Sequence, residues 1–437
     1  MPKPTLVLSA PVDTYSGYGA RARDFAKALI ALQTYDVKIL SQRWGNTPFG
    51  FLNHHGEAGL MSRVITKLNG QPDVWIQLTV PNEFQPVGKF NIGVTAAMET
   101  TLCDPSWVQG VNRMNLTLVS SEHSKQSLLN STFEQKDKNT GQIMGKIQVE
   151  KPIEVLFEGV NLMTYMPPKE NKLDLSMINE SFCFLTVGHW LPGALGEDRK
   201  NIGYTVKAFL ESFKNKPTPP ALILKTSAST ASIMDREDIL NRIDDIRKTV
   251  KGKLPNIYLF HGDIKDSLLN QLYYHPKVKA MVSLTKGEGF GRPLLEFSFA
   301  KKPIIASGWS GHVDFLDKDL CNLVGGELTQ VHPSAVQKNV ILAEASWFTP
   351  DAAKVHQAFK RVFKHYKDEL VKAKKLGSRN IKEFELSKMA EKLDSYLTKY
   401  VPEFPKQINL DLPKLNLPKL KKAESKPEIK LPKLKKL

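Results

Sequence analysis

Apolar and polar positions along the chain form a pattern that repeats and then restarts. Six short, nearly continuous apolar runs lie in the first 160 residues, at 5–9, 37–41, 74–79, 91–96, 116–121 and 153–157. Runs of that kind predict strands buried on both faces. Between several of them lie amphipathic stretches of helical length, at 21–31, 105–113 and 122–130. Strands alternating with helices predict a parallel sheet covered on both sides. Residues 132–152, rich in Lys, Gln, Asn and Gly, predict an exposed insertion.

After Gly159-Val160-Asn161 and Pro167-Pro168 the alternation begins again. Strands are expected at 182–187, 221–225, 257–260, 280–284 and 303–306, and helices at 201–214, 233–251, 266–274 and 293–300. Two long helices follow, at about 350–374 and 377–399. A chain of 437 residues is too long for one hydrophobic core and suits two domains of roughly 150–200 residues each. The expectation is an α/β protein with two Rossmann-like domains. They are placed at 1–160 and 182–376, joined by a linker at 161–181, with a helix at 377–400 packing back on the first. Residues 401–437 break the pattern. Leu-Pro-Lys-Leu occurs there at 412–415, 417–420 and 431–434, and repeated prolines preclude a regular helix. A disordered tail rich in Lys and Pro is expected.

Charge changes the picture in one respect. The chain carries a formal +16, and ten lysines between 406 and 436 stand against only Asp411, Glu424 and Glu428. The last 32 residues thus carry +7 and the preceding 405 carry +9. A cationic body suits an anionic partner such as a sugar nucleotide, nucleic acid or a membrane surface, without choosing among them. The stretch 403–437 is expected to tether the chain to an anionic or peripheral-membrane partner. No run of about 18 apolar residues predicts a transmembrane helix. The N-terminus lacks the apolar length and cleavage site of a signal peptide. Cys103, Cys183 and Cys321 are odd in number and far apart, which argues against a disulfide framework and for a reducing, cytoplasmic setting.

The strongest chemical signal is Lys286-Gly287-Glu288-Gly289-Phe290-Gly291-Arg292-Pro293-Leu294-Leu295-Glu296, between an expected strand and an expected helix. Three glycines in five residues permit a tight turn and a close ligand approach. Pro293 suits the first turn of a helix. Helical side chains lean toward the N-terminus, so Glu296 is expected to face the same crevice as Glu288. Two carboxylates there call for a ligand rich in hydroxyls, since each can accept two hydrogen bonds side by side. A second signal is Ser16-Gly17-Tyr18-Gly19 after the first strand, where backbone N–H groups at Gly17 and Gly19 can point at a phosphate. A third is Asp198-Arg199-Lys200-Asn201, which places two cations before a helix, where they could neutralise a departing diphosphate. Each of these also occurs as ordinary structure: a tight turn, a first-strand turn, a solvated basic corner. The ten histidines show no metal-ligand spacing, and neither an Asp-x-Asp nor a Walker A sequence stands out.

Glu288 and Glu296, with seven residues between them and Gly-Phe-Gly after the first, resemble the paired-glutamate motif of retaining, family-4-type glycosyltransferases (group 1) of the GT-B fold. Phe260-His261-Gly262-Asp263, Val282-Ser283-Leu284, Lys302-Pro303-Ile304-Ile305-Ala306-Ser307 and the Gly159-Val160-Asn161 junction extend the likeness, which is looser in the first domain. The resemblance implies two domains facing across a cleft, a nucleotide diphosphate sugar as co-substrate, no cofactor and no metal. It implies that Glu296 holds the ribose hydroxyls, that Glu288 holds hydroxyls of the transferred sugar, and that the amides of Gly289, Phe290 and Gly291 approach the diphosphate. Lys200 matches one family cation. At the position of the other this chain has His189, followed by a longer loop, and Arg199 is the substitute. Relatives place a histidine near 93–101; none stands there here, and Glu99 is the nearest polar candidate. The acceptor stays open: a saccharide, a lipid-linked glycan or a nucleic-acid base. A nucleotide-sugar epimerase and a non-catalytic sugar-nucleotide-binding protein are the readings from other classes.

Overall fold

The computed structural model describes residues 3–137, 140–228 and 232–404, and the expected tail lies outside the described residues from 405 onward. Seven strands build the first sheet: β1 (Thr5–Ala10), β2 (Asp36–Ser41), β3 (Val64–Ile65), β4 (Val74–Leu78), β5 (Phe90–Thr95), β6 (Leu116–Val119) and, after a hairpin, β9 (Ile153–Val155). The hairpin, β7 (Phe133–Lys136) with β8 (Ile143–Ile147), is antiparallel, largely exposed, and occupies the polar insertion. The sheet is parallel in the order β3-β2-β1-β4-β5-β6-β9. Its central strands are buried because helices cover both faces; every residue of β4, β5 and β6 is buried.

The helices of this half are α1 (Gly17–Leu32), two short turns α2 (Phe51–His54) and α3 (Ala58–Met61), α4 (Pro105–Asn112) and α5 (Glu122–Asn130). Their starts follow capping chemistry. Ser16, Asp104 and Ser121 accept from the amides of Gly19, Ser106 and Ser124, and Pro105 opens α4. Helix α1 begins at Gly17, four residues before its expected start, because Ser16 provides the cap.

A short helix, α6 (Leu162–Tyr165), leads into the second sheet of β10 (Cys183–Val187), β11 (Ala221–Thr226), β12 (Ile257–His261), β13 (Val278–Ser283), β14 (Ile304–Ser307) and β15 (Asn322–Val324). The order is β12-β11-β10-β13-β14-β15, again parallel. Its helices are α7 (Ile202–Phe213), α8 (Ile233–Thr249), α9 (Asp266–Tyr274) and α10 (Arg292–Ser298). One face is closed by a ring cluster of Phe184, Phe209, Phe213 and Phe359. An antiparallel pair, β16 (Gly326–Gln330) and β17 (Ser346–Pro350), extends beyond it and was not expected. Both sheets belong to one compact unit that ends at Pro402.

The C-terminal region differs from the expected two helices. It forms three: α11 (Ala352–Lys364), α12 (Tyr366–Glu383) and α13 (Leu386–Tyr400). The expected break before Gly377 does not occur. A Cβ at 377 would overlap the Ser298 carbonyl oxygen of α10, so this glycine serves close helix packing inside α12. The breaks fall at His365 and at Phe384-Glu385, where neither Gly nor Pro marks them. Helix α13 lies on the first half: Tyr396 donates to the Val155 carbonyl at 3.0 Å and Lys399 pairs with Glu154. Among the described residues no helix is long and apolar enough to cross a membrane.

Candidate active site

In each sheet the strand order reverses beside the first strand, between β1 and β4 and between β10 and β13. Such a reversal opens a crevice at the carboxyl ends of the strands. The loops leaving β10 and β13 carry the residues that the sequence singles out. Lys200 Nζ donates to both oxygens of Glu288, at 2.7 and 2.8 Å. Arg199 Nη1 lies 3.6 Å from Glu288 Oε2, while its Nη2 lies 3.1 Å from Glu99 Oε1 in the first half. Glu99, Arg199, Lys200 and Glu288 are therefore one ion-pair network across the cleft. Burial alone would raise the Glu288 pKa; Lys200 and Arg199 outweigh it and hold the carboxyl down at about 2. Burial opposes the charge on Arg199, but Glu99, Glu288 and Asp198 overcome it and raise its pKa.

Local structure fixes this network. Buried Asp198 accepts from the Asn201 amide at 2.7 Å, and Asn201, in the left-handed region at φ 57°, donates from its side chain to the Leu284 carbonyl at 3.0 Å. The Lys286 amide donates to the Arg199 carbonyl at 2.8 Å, which ties the cation corner to the end of β13. The loop after β14 supports Glu288 from below: the Glu288 amide donates to Ser310 Oγ at 2.9 Å, and the Gly311 amide donates to the Glu288 carbonyl. His312, fully buried, faces the Ser307 carbonyl at 2.6 Å through Nε2.

Glu296 is held by a different set of partners. Only 4% of its side chain is exposed; it accepts from Arg292 Nε at 2.7 Å, and Oε2 keeps a long 3.4 Å contact from the Tyr273 hydroxyl. Arg292 Nη1 in turn reaches Asp24 of α1, 2.6 Å away across the cleft. Burial, assisted by Asp266 and opposed by Arg292, pushes the Glu296 pKa up to about 7. The two glutamates share no hydrogen-bonding partner.

The glycines also behave differently from expectation. A Cβ at Gly287 would overlap the Glu99 carbonyl oxygen, and one at Gly289 would stand 2.6 Å from that of Ala96. Both therefore admit the backbone of the opposite half. The hydroxyls of Ser120, Ser121 and Ser124 crowd the Gly289 carbonyl at 3.0, 2.6 and 3.2 Å. Gly291, at φ 94°, turns the chain into α10. The amides of Gly289, Phe290 and Gly291 make no hydrogen bond to another described residue. In the first half, the Gly19 amide is taken by the Ser16 cap at 2.9 Å and is not presented to a ligand, whereas Gly17 faces open space.

Several cleft residues escaped the sequence reading. His123 stands at the start of α5, where its ring meets Trp309 edge-on at 4.5 Å and its Nε2 is buried without a partner. Burial lowers its pKa to about 4, so the imidazole is neutral at pH 7. Tyr18 stacks on Trp44 at 3.9 Å and bonds Thr95 Oγ1 and the Ala96 amide through its hydroxyl, both at 3.1 Å. Tyr15 pairs with His54 Nδ1 at 2.7 Å, and its hydroxyl pKa is raised by burial and by Asp13 and Asp263, the last on the opposite half. The available signal was position: His123 and Tyr18 follow the carboxyl ends of β6 and β1, where sites of this sheet type form.

Two Rossmann-like sheets facing one another, with these loops at their facing ends, define the GT-B fold. Solved structures share it. Sucrose-phosphate synthase from Thermosynechococcus elongatus is 14% identical, with a TM-score of 0.58 over 91% of this chain and 98% of that one. A glycosyltransferase from Rickettsia africae is 16% identical, with a TM-score of 0.58 over the same shares. HepE of Anabaena, solved with UDP and glucose, is 11% identical, with a TM-score of 0.54 over 91% of this chain and all of that one. No protein-family model and no curated protein sequence matches the chain.

Proposed function

We propose that the chain transfers a sugar from a nucleoside diphosphate sugar to an acceptor held on the first half, with retention at the anomeric carbon and without a metal ion. The observation that carries this reading is the cluster of Arg199, Lys200 and Glu288 at the switch point of the second sheet, beside three unpaired backbone amides. HepE has also been solved with UDP-glucose, and Escherichia coli trehalose-6-phosphate synthase with UDP-2-fluoroglucose, which supports a donor of this class. For trehalose-6-phosphate synthase glycosyl transfer with retention is described, which supports the stereochemistry.

In the reaction, the bond from the anomeric carbon to the diphosphate oxygen breaks. An acceptor oxygen bonds on the same face, and its proton passes to the departing diphosphate. Arg199, Lys200 and the amides of Gly289, Phe290 and Gly291 stabilise the growing negative charge. Glu288 accepts hydrogen bonds from the sugar hydroxyls and Glu296 from the ribose. Glu99 faces the transferred sugar from the other wall, and Gly17 lies beside the diphosphate. The Tyr15–Tyr18–Trp44 lip is the surface that meets the acceptor.

Two outcomes are expected from one assay, in which product is followed by proton NMR. The new glycosidic bond has the anomeric configuration of the donor, and the rate is unchanged by excess EDTA. Inverted product, or activity lost to EDTA and restored by manganese, would show that the leaving-group chemistry is misassigned.

A further inference from the structure

Helices α11 and α12, residues 352–383, carry ten basic side chains against Asp368, Glu369 and Glu383, a net +7. The chain before the tail carries +9, so most of its excess charge sits on this helix pair. A cavity of about 540 Å³ lies between the two helices, walled by Lys360, Arg361, Lys364, His365 and Lys372 together with the carboxylates of Asp368 and Glu369. It shares no residue with the cleft. Its one buried carboxylate, Glu369, is already satisfied: it accepts from Arg361 Nε at 2.9 Å, Asn322 Nδ2 at 2.7 Å and Lys372 Nζ at 3.4 Å. Lys360 and Lys364, exposed and one helical turn apart, have no side-chain partner among the described residues. Like charges four residues apart disfavour a helix. The fold gains nothing from that repulsion, and an anion seated between them relieves it.

We propose that the trough between α11 and α12 binds the phosphodiester backbone of a nucleic acid. Lys360, Arg361, Lys364 and Lys372 line the trough from both helices, and four cations suit successive phosphates better than a single phosphate group. A membrane surface fits less well. A helix that lies in a lipid interface needs an exposed apolar face. Here Val355, Phe359, Val362, Ala373 and Leu376 are buried in the protein, and among the described residues Val371 is the one exposed large apolar side chain on the two helices. Recognition of this kind reads charge and spacing, not base sequence.

The test is a fluorescence-anisotropy titration of end-labelled duplex DNA with the full chain over a range of NaCl concentrations. The protein is compared with K360E/K364E and with a charge-matched control, K251E/K253E, whose lysines are exposed on the turn after α8. Arg361 and Lys372 are left intact because they hold Glu369. Wild type is expected to bind with a steep salt dependence. K360E/K364E should lose at least tenfold in affinity at low salt, and its slope of log K against log salt should fall by roughly 1.8, the loss of two phosphate contacts. Melting temperature and nucleotide-sugar binding should stay at wild-type values, and the control should bind DNA nearly as wild type. The proposal is overturned if wild type does not bind DNA at low salt, or if K360E/K364E keeps its affinity and slope. Equal losses in the control would overturn it too, as would losses confined to phosphatidylserine vesicles or to inorganic pyrophosphate.

Discussion

Replacing Lys200 by Ala is expected to lower kcat for sugar transfer by a factor on the order of 10²–10³, with a much smaller loss of donor affinity. The Lys200 ammonium is the closest cation to Glu288, bonding both its oxygens, and Arg199 is a poorer substitute at 3.6 Å with Glu99 as a competing partner. As the diphosphate departs it gains charge, and a fixed cation in a partly buried cleft is worth more to that state than to the bound donor. The loss therefore falls on turnover. Lys200→Arg should recover part of the rate, because charge is kept while geometry changes. Single-turnover rates with donor titrations on the three proteins measure both quantities. Wild-type kcat in Lys200→Ala would remove Lys200 from the reaction.

Donor affinity is expected to rise with pH until about neutrality and then level off, and Glu296→Gln is expected to abolish that dependence. Burial first, and Asp266 second, raise the Glu296 pKa to about 7 in spite of Arg292. Ribose hydroxyls donate, so they need the ionised carboxylate, which accepts on both oxygens. Below the raised pKa each unit of pH protonates a larger share of the free protein, and the donor Kd should rise by roughly tenfold per unit. Burial lowers the pKa of His123, His189 and His312, so their titration is displaced to the acid side of that of Glu296. Losing the charged hydrogen bond should also weaken binding at pH 8 by about 1.5–3 kcal/mol. Calorimetric titrations of both proteins from pH 6 to 8 check this. Parallel pH profiles would place the titrating group elsewhere.

Much of the architecture was legible because both sheets are parallel and buried. Their strands read as apolar runs, and α5 and α9 begin and end where the sequence places them. The C-terminal helices were misread because a glycine has two uses. Gly377 lets α12 approach α10, which sequence cannot distinguish from a helix end. His365 breaks the chain without any Gly or Pro to announce it. Within the cleft, Arg199, Lys200 and Glu288 were singled out by local pattern and Glu99 by the family resemblance, and the structure brings the four together. What stayed hidden depends on the opposite half. The Asp24–Arg292 pair joins residues 268 apart, and Gly287 and Gly289 are glycines because backbone from the first sheet's loops touches them. Neither fact leaves a local trace. His123 has one, its place after β6, but a lone histidine in a capped helix start carries no chemistry until Trp309 is seen beside it.

The central claim is that the cleft binds a nucleoside diphosphate sugar through Lys200, Glu288 and Glu296. Its most direct test is calorimetric titration of the full chain with a panel of nucleoside diphosphate sugars, repeated on Lys200→Ala, Glu288→Ala and Glu296→Ala. The account predicts saturable one-site binding of at least one donor. It predicts affinity lost most in Glu296→Ala, with each variant keeping the wild-type melting temperature in the absence of donor to within a few degrees. A chain that binds no member of the panel, or that binds one equally well in all four forms, would contradict it.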